Sequence, residues 1–109
     1  MSSTTLKRDG NASPTSIFNY AVITAAAPTT TVVKSGSGFF HLLVINTAAA
    51  NGVITIYDNT SATGTKIATI TQPAALIESA QTLVYDIEFN VGLTIVTSAA
   101  AQDITVSYL

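Results

Sequence analysis

Asp86 and Glu88 stand two positions apart in TLVYDIEF, residues 82 to 89, and His41 is the only histidine of the chain. On an extended strand, residues i and i+2 share a face with α-carbons roughly 6.5 to 7 Å apart. That separation overlaps the range used by the paired acids of glycosidases. A solvated strand face accounts for the same two carboxylates with no further assumption, and it is the reading adopted. Serine chemistry needs a general base within hydrogen-bond reach of the nucleophile. The chain has no G-x-S-x-G elbow, and Gly36-Ser37-Gly38 reads as a turn before a strand. His41 lies between Phe40 and Leu42, which marks it as a packed or interface side chain rather than a base. One histidine and no cysteine cannot assemble a His/Cys zinc cluster. Asp58-Asn59-Thr60-Ser61 offers oxygen ligands without the D-x-[DN]-x-[DN]-G spacing or distal glutamate of a calcium loop; a turn closed by side-chain-to-backbone hydrogen bonds is expected there. Asn11-Ala-Ser13 and Asn59-Thr-Ser61 fit the N-glycosylation pattern, but without a secretory signal neither is taken as a site. No glycine-rich phosphate loop is present. The expectation is a non-enzyme with no catalytic, cofactor-binding or metal-binding residues.

The elements that carry these residues are short and apolar. The chain has 109 residues and a mass of 11.2 kDa, enough for one core. Charged residues make up 9% of it, against about 25% in an average domain. Hydroxyls replace the missing charge, with 18 Thr and 10 Ser beside 16 Ala. A surface of that composition sheds water at small electrostatic cost, so it suits burial against neighbours. A net charge of −2, with only Lys7 and Arg8 adjacent among four cations, argues against nucleic acid. No run approaches the roughly 18 apolar residues of a membrane helix, and the start MSSTTLKRDG lacks the apolar stretch of a signal peptide. No membrane partner is expected, and synthesis in a cytoplasm is.

Residues 1–16 are polar and include Gly10 and Pro14, which predicts an N-terminal arm ahead of a domain over 17–109. From Ile17 onward β-branched residues dominate, and these are stiff side chains that fit a pleated surface. Eight runs read as strands: YAVITA (20–25), TVVK (31–34), FFHLLVIN (39–46), VITIYD (53–58), KIATIT (66–71), TLVYDIEF (82–89), LTIVT (93–97) and DITVSYL (103–109). Glycine, proline and asparagine separate them. The spacing predicts a single antiparallel β-sandwich, jelly-roll-like, in an all-β chain. TIYDNTSATGTKIATIT reads as one hairpin, and PAALIESAQ, residues 73 to 81, as a loop able to hold a turn or two of helix. Alternation puts Leu83, Tyr85, Ile87 and Phe89 on a core face opposite Val84, Asp86 and Glu88. In FFHLLVIN the same rule puts Phe40, Leu42 and Val44 on one face and Phe39, His41, Leu43 and Ile45 on the other. Both faces are apolar, so one is expected to meet a partner or a covering loop.

The stretches VVKSGSGFFHLLVINTAAANGVITIYDNTSATGTKIATIT and LVYDIEFNVGLTIVTSAAAQDITVSYL resemble a class of small virion proteins of tailed bacteriophages. Residues 32 to 108 carry the likeness, through a G-x-G start, an I-T-I-Y-D-N-T…G-T-x-I-A-T-I hairpin, a G-L-x-I-V-T run and a D-h-T-V-x-Y ending; residues 1–31 take no part. The resemblance implies a capsid decoration (cement) protein that sits on the virion's capsid surface and binds the major capsid protein and itself, as a dimer or trimer. On that expectation the interface includes Leu6, Lys7 and Arg8 of the arm, laid across a neighbour, with Phe39, His41 and Leu43 meeting symmetry mates. The alternative is a receptor- or glycan-binding β-domain of a phage fibre or adhesin, resting on an exposed tyrosine.

Overall fold

The computed structural model describes residues 17–76 and 80–109. Eight strands follow in order: β1 Asn19–Ile23, β2 Thr29–Ser35, β3 Gly38–Thr47, β4 Val53–Asp58, β5 Thr65–Thr71, β6 Gln81–Phe89, β7 Gly92–Ser98 and β8 Asp103–Tyr108. They form two four-stranded sheets, ordered β1-β8-β3-β6 and β2-β7-β4-β5. Every neighbouring pair is antiparallel. The pairs β1·β8, β2·β7, β3·β6 and β4·β5 are nested, so the chain is one long hairpin folded at the β4–β5 turn and rolled until β8 meets β3 and β7 meets β4. This is the jelly-roll arrangement.

Each predicted strand is present, with ends that differ by at most two residues and β4 as expected at both ends. The β4–β5 hairpin turns through 59–64, with Gly64 at φ 83°, a conformation that costs glycine little. No helix occurs among the described residues; Pro73 to Leu76 run as an irregular loop, and 77–79 lie outside the described residues. The core between the sheets is aliphatic and aromatic: Ile23, Phe40, Leu43, Ile45, Ile54, Ile56, Phe89, Leu93, Ile95, Ile104 and Val106 are all at most 4% exposed. These residues alternate with half-buried ones along β4 and β8, as a strand with one dry face requires.

The expected two faces of β3 are corrected by a bulge. Phe40 stands opposite Tyr108 of β8 and Leu42 opposite Ser107, which leaves His41 as an extra residue. On the other side β6 places Tyr85 and Asp86 between the partners of Phe40 and Leu42, Ile87 and Val84. Asp86 sits at φ 48°, the left-handed region that aspartate tolerates better than most residues. One extra residue flips the face of everything after it. Phe40, Leu43 and Ile45 therefore all point into the core, while Leu42 and Val44 look outward. Leu43, expected at an interface with other copies, is a core residue with no exposed surface.

At one pole of the sandwich a buried amide network joins three loops. Gln72 Nε2 donates to Gln102 Oε1, Ala49 N donates to Gln72 Oε1 at 2.9 Å, and Gln102 Nε2 donates to the carbonyls of Val53 and Ala100, each at 3.3 Å. Gly52 fits beneath the two amides: a Cβ there would lie 2.9 Å from each. At the opposite pole Asp58 accepts from the backbone N–H groups of Asn90 at 3.0 Å, Val91 at 2.8 Å and Gly92 at 3.3 Å. That contact clasps the β6–β7 turn to the β4–β5 hairpin.

Candidate interaction face

The outer face of the β1-β8-β3-β6 sheet is built by residues that pair across it. Val84, Leu42, Ser107 and Tyr20 form one row, and Thr82, Val44, Thr105 and Val22 form the next. Tyr20 is 72% exposed, Val84 62% and Val22 55%; Leu42 and Val44 are half-buried between them. Hydroxyls and branched apolar side chains thus cover the centre of the face, and no ionised group stands in either row. The outer face of the other sheet differs: Thr30, Val96, Thr55 and Thr69 make a threonine-rich row, and Lys66 lies over the Tyr57 ring, 5.9 Å from its centroid.

An aromatic cluster occupies one end of the apolar face. Phe18 stacks on the His41 ring with centroids 4.2 Å apart and lies 6.3 Å from Phe39. His41 Nδ1 hydrogen-bonds with Asp86 Oδ1 at 2.5 Å. The β3–β6 bulge produces this meeting, since it pushes His41 outward opposite the kinked Tyr85–Asp86 step. An imidazole held by a carboxylate is the base half of a hydrolytic triad, but among the described residues no serine or threonine hydroxyl hydrogen-bonds with the ring. Below the bulge Tyr85 stacks on Phe40 at 4.8 Å, and burial there pushes its phenol above the ordinary range. Beside the cluster an open cleft of about 500 Å³ is lined by Asn19, Lys34, Phe39, Glu88 and Asn90 among others.

The charges of the two sheets are segregated. Strands β1, β8, β3 and β6 carry Asp86, Glu88 and Asp103 and no lysine or arginine. Among the described residues the cations are Lys34 on β2 and Lys66 on β5. The sheet that bears the apolar face therefore contributes only carboxylates to its rim, and Lys34 of β2 reaches the cleft beside Phe39 and Glu88. Asp103 is engaged by Asn46 Nδ2 at 3.1 Å and Asp86 by His41, whereas no side-chain partner is seen for Glu88 among the described residues. Asp58 belongs to the other sheet, and its three backbone donors, with Asn90 the strongest, hold its carboxyl below the usual range.

Of the residues expected at an interface, Phe39 and His41 lie together on this face, Leu43 lies beneath it, and Leu6, Lys7 and Arg8 are outside the described residues. Sequence reading missed Phe18, Tyr20, Val22 and Val84. A signal existed for the last three: Val84 occupies the phase of Asp86 and Glu88 in TLVYDIEF, and both phases of YAVI are apolar. The Asp58–Ser61 segment does form the expected turn, with Asn59 Nδ2 donating to the Thr63 carbonyl at 2.8 Å and Thr60 N to Asn59 Oδ1 at 2.8 Å. The fold and face define a jelly-roll β-sandwich with one outer sheet surface whose centre is apolar and free of ionised groups. No protein-family description, curated protein or solved structure matches the chain.

Proposed function

We propose that this chain is a structural virion protein of a bacteriophage, a decoration or cement protein that docks on the capsid's major protein and packs against copies of itself. The apolar face of Tyr20, Val22, Leu42, Val44 and Val84 carries the reading. Side chains of this kind exposed as one contiguous surface mark interaction sites on soluble proteins, and few ionised groups need to be stripped of water when the face is covered. Jelly rolls also recur in viral shells, a fold-level analogy that points the same way. So does the likeness of residues 32 to 108 to small phage virion proteins.

Co-sedimentation of the purified chain with phage heads assembled without it tests the proposal. Saturable binding at a fixed ratio is expected, weakened by Val84→Lys and by Val44→Lys with no change in melting temperature. Heads that leave the chain in the supernatant would refute it. A second reading is favoured by Tyr20, an aromatic ring 72% exposed and able to stack on a sugar: binding on a glycan array that is lost in Tyr20→Ala would support a fibre or adhesin domain instead.

A further inference from the structure

A jelly roll has four free sheet edges, and an edge strand is a template for pairing unless something blunts it. Three of the four are blunted. Strand β2 carries Lys34 and bulges at Val33, where Val32 and Lys34 face consecutive residues of β7. Strand β5 carries Lys66 and bulges at Ile67. Strand β6 carries Asp86 and Glu88 and the kinked Tyr85–Asp86 step. Charges and bulges are the common devices against strand addition. Strand β1 has neither: Asn19, Tyr20, Ala21, Val22 and Ile23 pair with β8 without a register shift and include no ionisable carboxylate or amine and no proline. Among the described residues nothing pairs with its outer edge.

From this asymmetry we infer that β1 is the self-association edge, and that its partner is β1 of a second copy. An antiparallel pair about a two-fold axis through Ala21 joins the two sheets into one of eight strands. Its register sets Tyr20 opposite the partner subunit's Val22, and Val22 opposite the partner subunit's Tyr20. These two side chains are among the most exposed apolar groups of the described residues, and aromatic against β-branched is a favourable cross-strand pair. The charge layout fits the same geometry. The acidic strand β6 is the far edge of the sheet, so the two β6 strands end up seven strand spacings apart, about 34 Å. Asp103 on β8 stays at least about 14 Å, three strand spacings, from its counterpart. Both distances exceed the Debye length of about 8 Å at physiological ionic strength. Pairing through β6 would instead bring four carboxylates together. A five-residue edge is only about 17 Å long. Its contact is smaller than the roughly 1,600 Å² of a standard interface, so the dimer is expected to be concentration-dependent in solution and to gain from a scaffold that holds two copies close.

The inference deepens the self-packing part of the capsid reading, and sedimentation velocity of the full chain over a wide concentration range tests it. A monomer–dimer equilibrium is expected. Val22→Lys weakens it about tenfold or more, since it disrupts two pairs per dimer; Tyr20→Glu does the same. The two substitutions in one chain restore it, because the register puts opposite charges face to face across the axis. Val84→Lys, on the same outer face at the far edge, leaves the equilibrium unchanged. Melting temperatures of all four variants check that the fold is intact, which the exposure of these positions favours. A chain that stays monomeric throughout overturns the inference. So does dissociation by Val84→Lys without an effect of Val22→Lys, which would make the sheet face the contact. Capsid binding by a strictly monomeric chain would remove the edge pairing and leave the capsid reading standing; a dimer with these responses that binds no phage head would do the reverse.

Discussion

Asp58→Ala is expected to open the clasp between the two loops at one pole. The carboxylate accepts from Asn90 through both oxygens at 3.0 Å, from Val91 at 2.8 Å and from Gly92 at 3.3 Å. Hydrogen bonds to a charged group contribute about 1.5–3 kcal/mol, and partial solvent exposure places this set toward the lower end. A loss of about 2 kcal/mol corresponds to a fall of about 10 °C in melting temperature for a domain of this size. The carboxyl's folded pKa lies below its ordinary value of 3.8. Its contribution is therefore fully present above the unfolded pKa and disappears as pH falls through the folded one. Thermal unfolding of the native chain and Asp58→Ala, followed by circular dichroism at pH 7 and again at about pH 2, a condition below the ordinary carboxylate range, reads both terms. The gap between the two proteins is expected to be wide at pH 7 and to narrow in acid. A gap of the same width at both pH values, or none at pH 7, refutes the clasp.

Leu43→Ala is expected to cost about 2–5 kcal/mol and Leu42→Ala about 1 kcal/mol, because the bulge sends the first into the core and the second outward; urea unfolding checks the order, and equal costs would mean the strand keeps simple alternation. Gly52→Ala pushes a methyl to 2.9 Å from Gln72 Nε2 and Gln102 Cδ, and about 1–3 kcal/mol of stability should be lost in the same assay. Asp86→Gly and Asp86→Ala both remove the partner of His41, yet the alanine variant should be the less stable by about 1 kcal/mol, since only glycine takes the left-handed backbone without strain.

Much of this architecture is legible in the residues themselves. Runs such as VITIYD and DITVSYL carry their own evidence of burial, because a strand with one dry face must alternate, and β-branched residues between glycine and asparagine leave few other structures open. Eight such runs in one short chain already imply two stacked sheets. The scarcity of lysine and glutamate likewise marks a surface suited to being covered, whatever the fold. Strand order and face are decided elsewhere. Nothing local to FFHLLVIN says that His41 is an extra residue; that follows from its pairing with β8 on one side and β6 on the other, and it alone puts Leu43 in the core and Leu42 outside. The meeting of His41 with Asp86, 45 positions away in the chain, and the seating of Gln72 against Gln102 arise in the same way. Side-chain phase along a strand is a local property until a bulge resets it, and bulges, pairing and charge segregation are set by contacts between distant segments, so only the packed sandwich determines them.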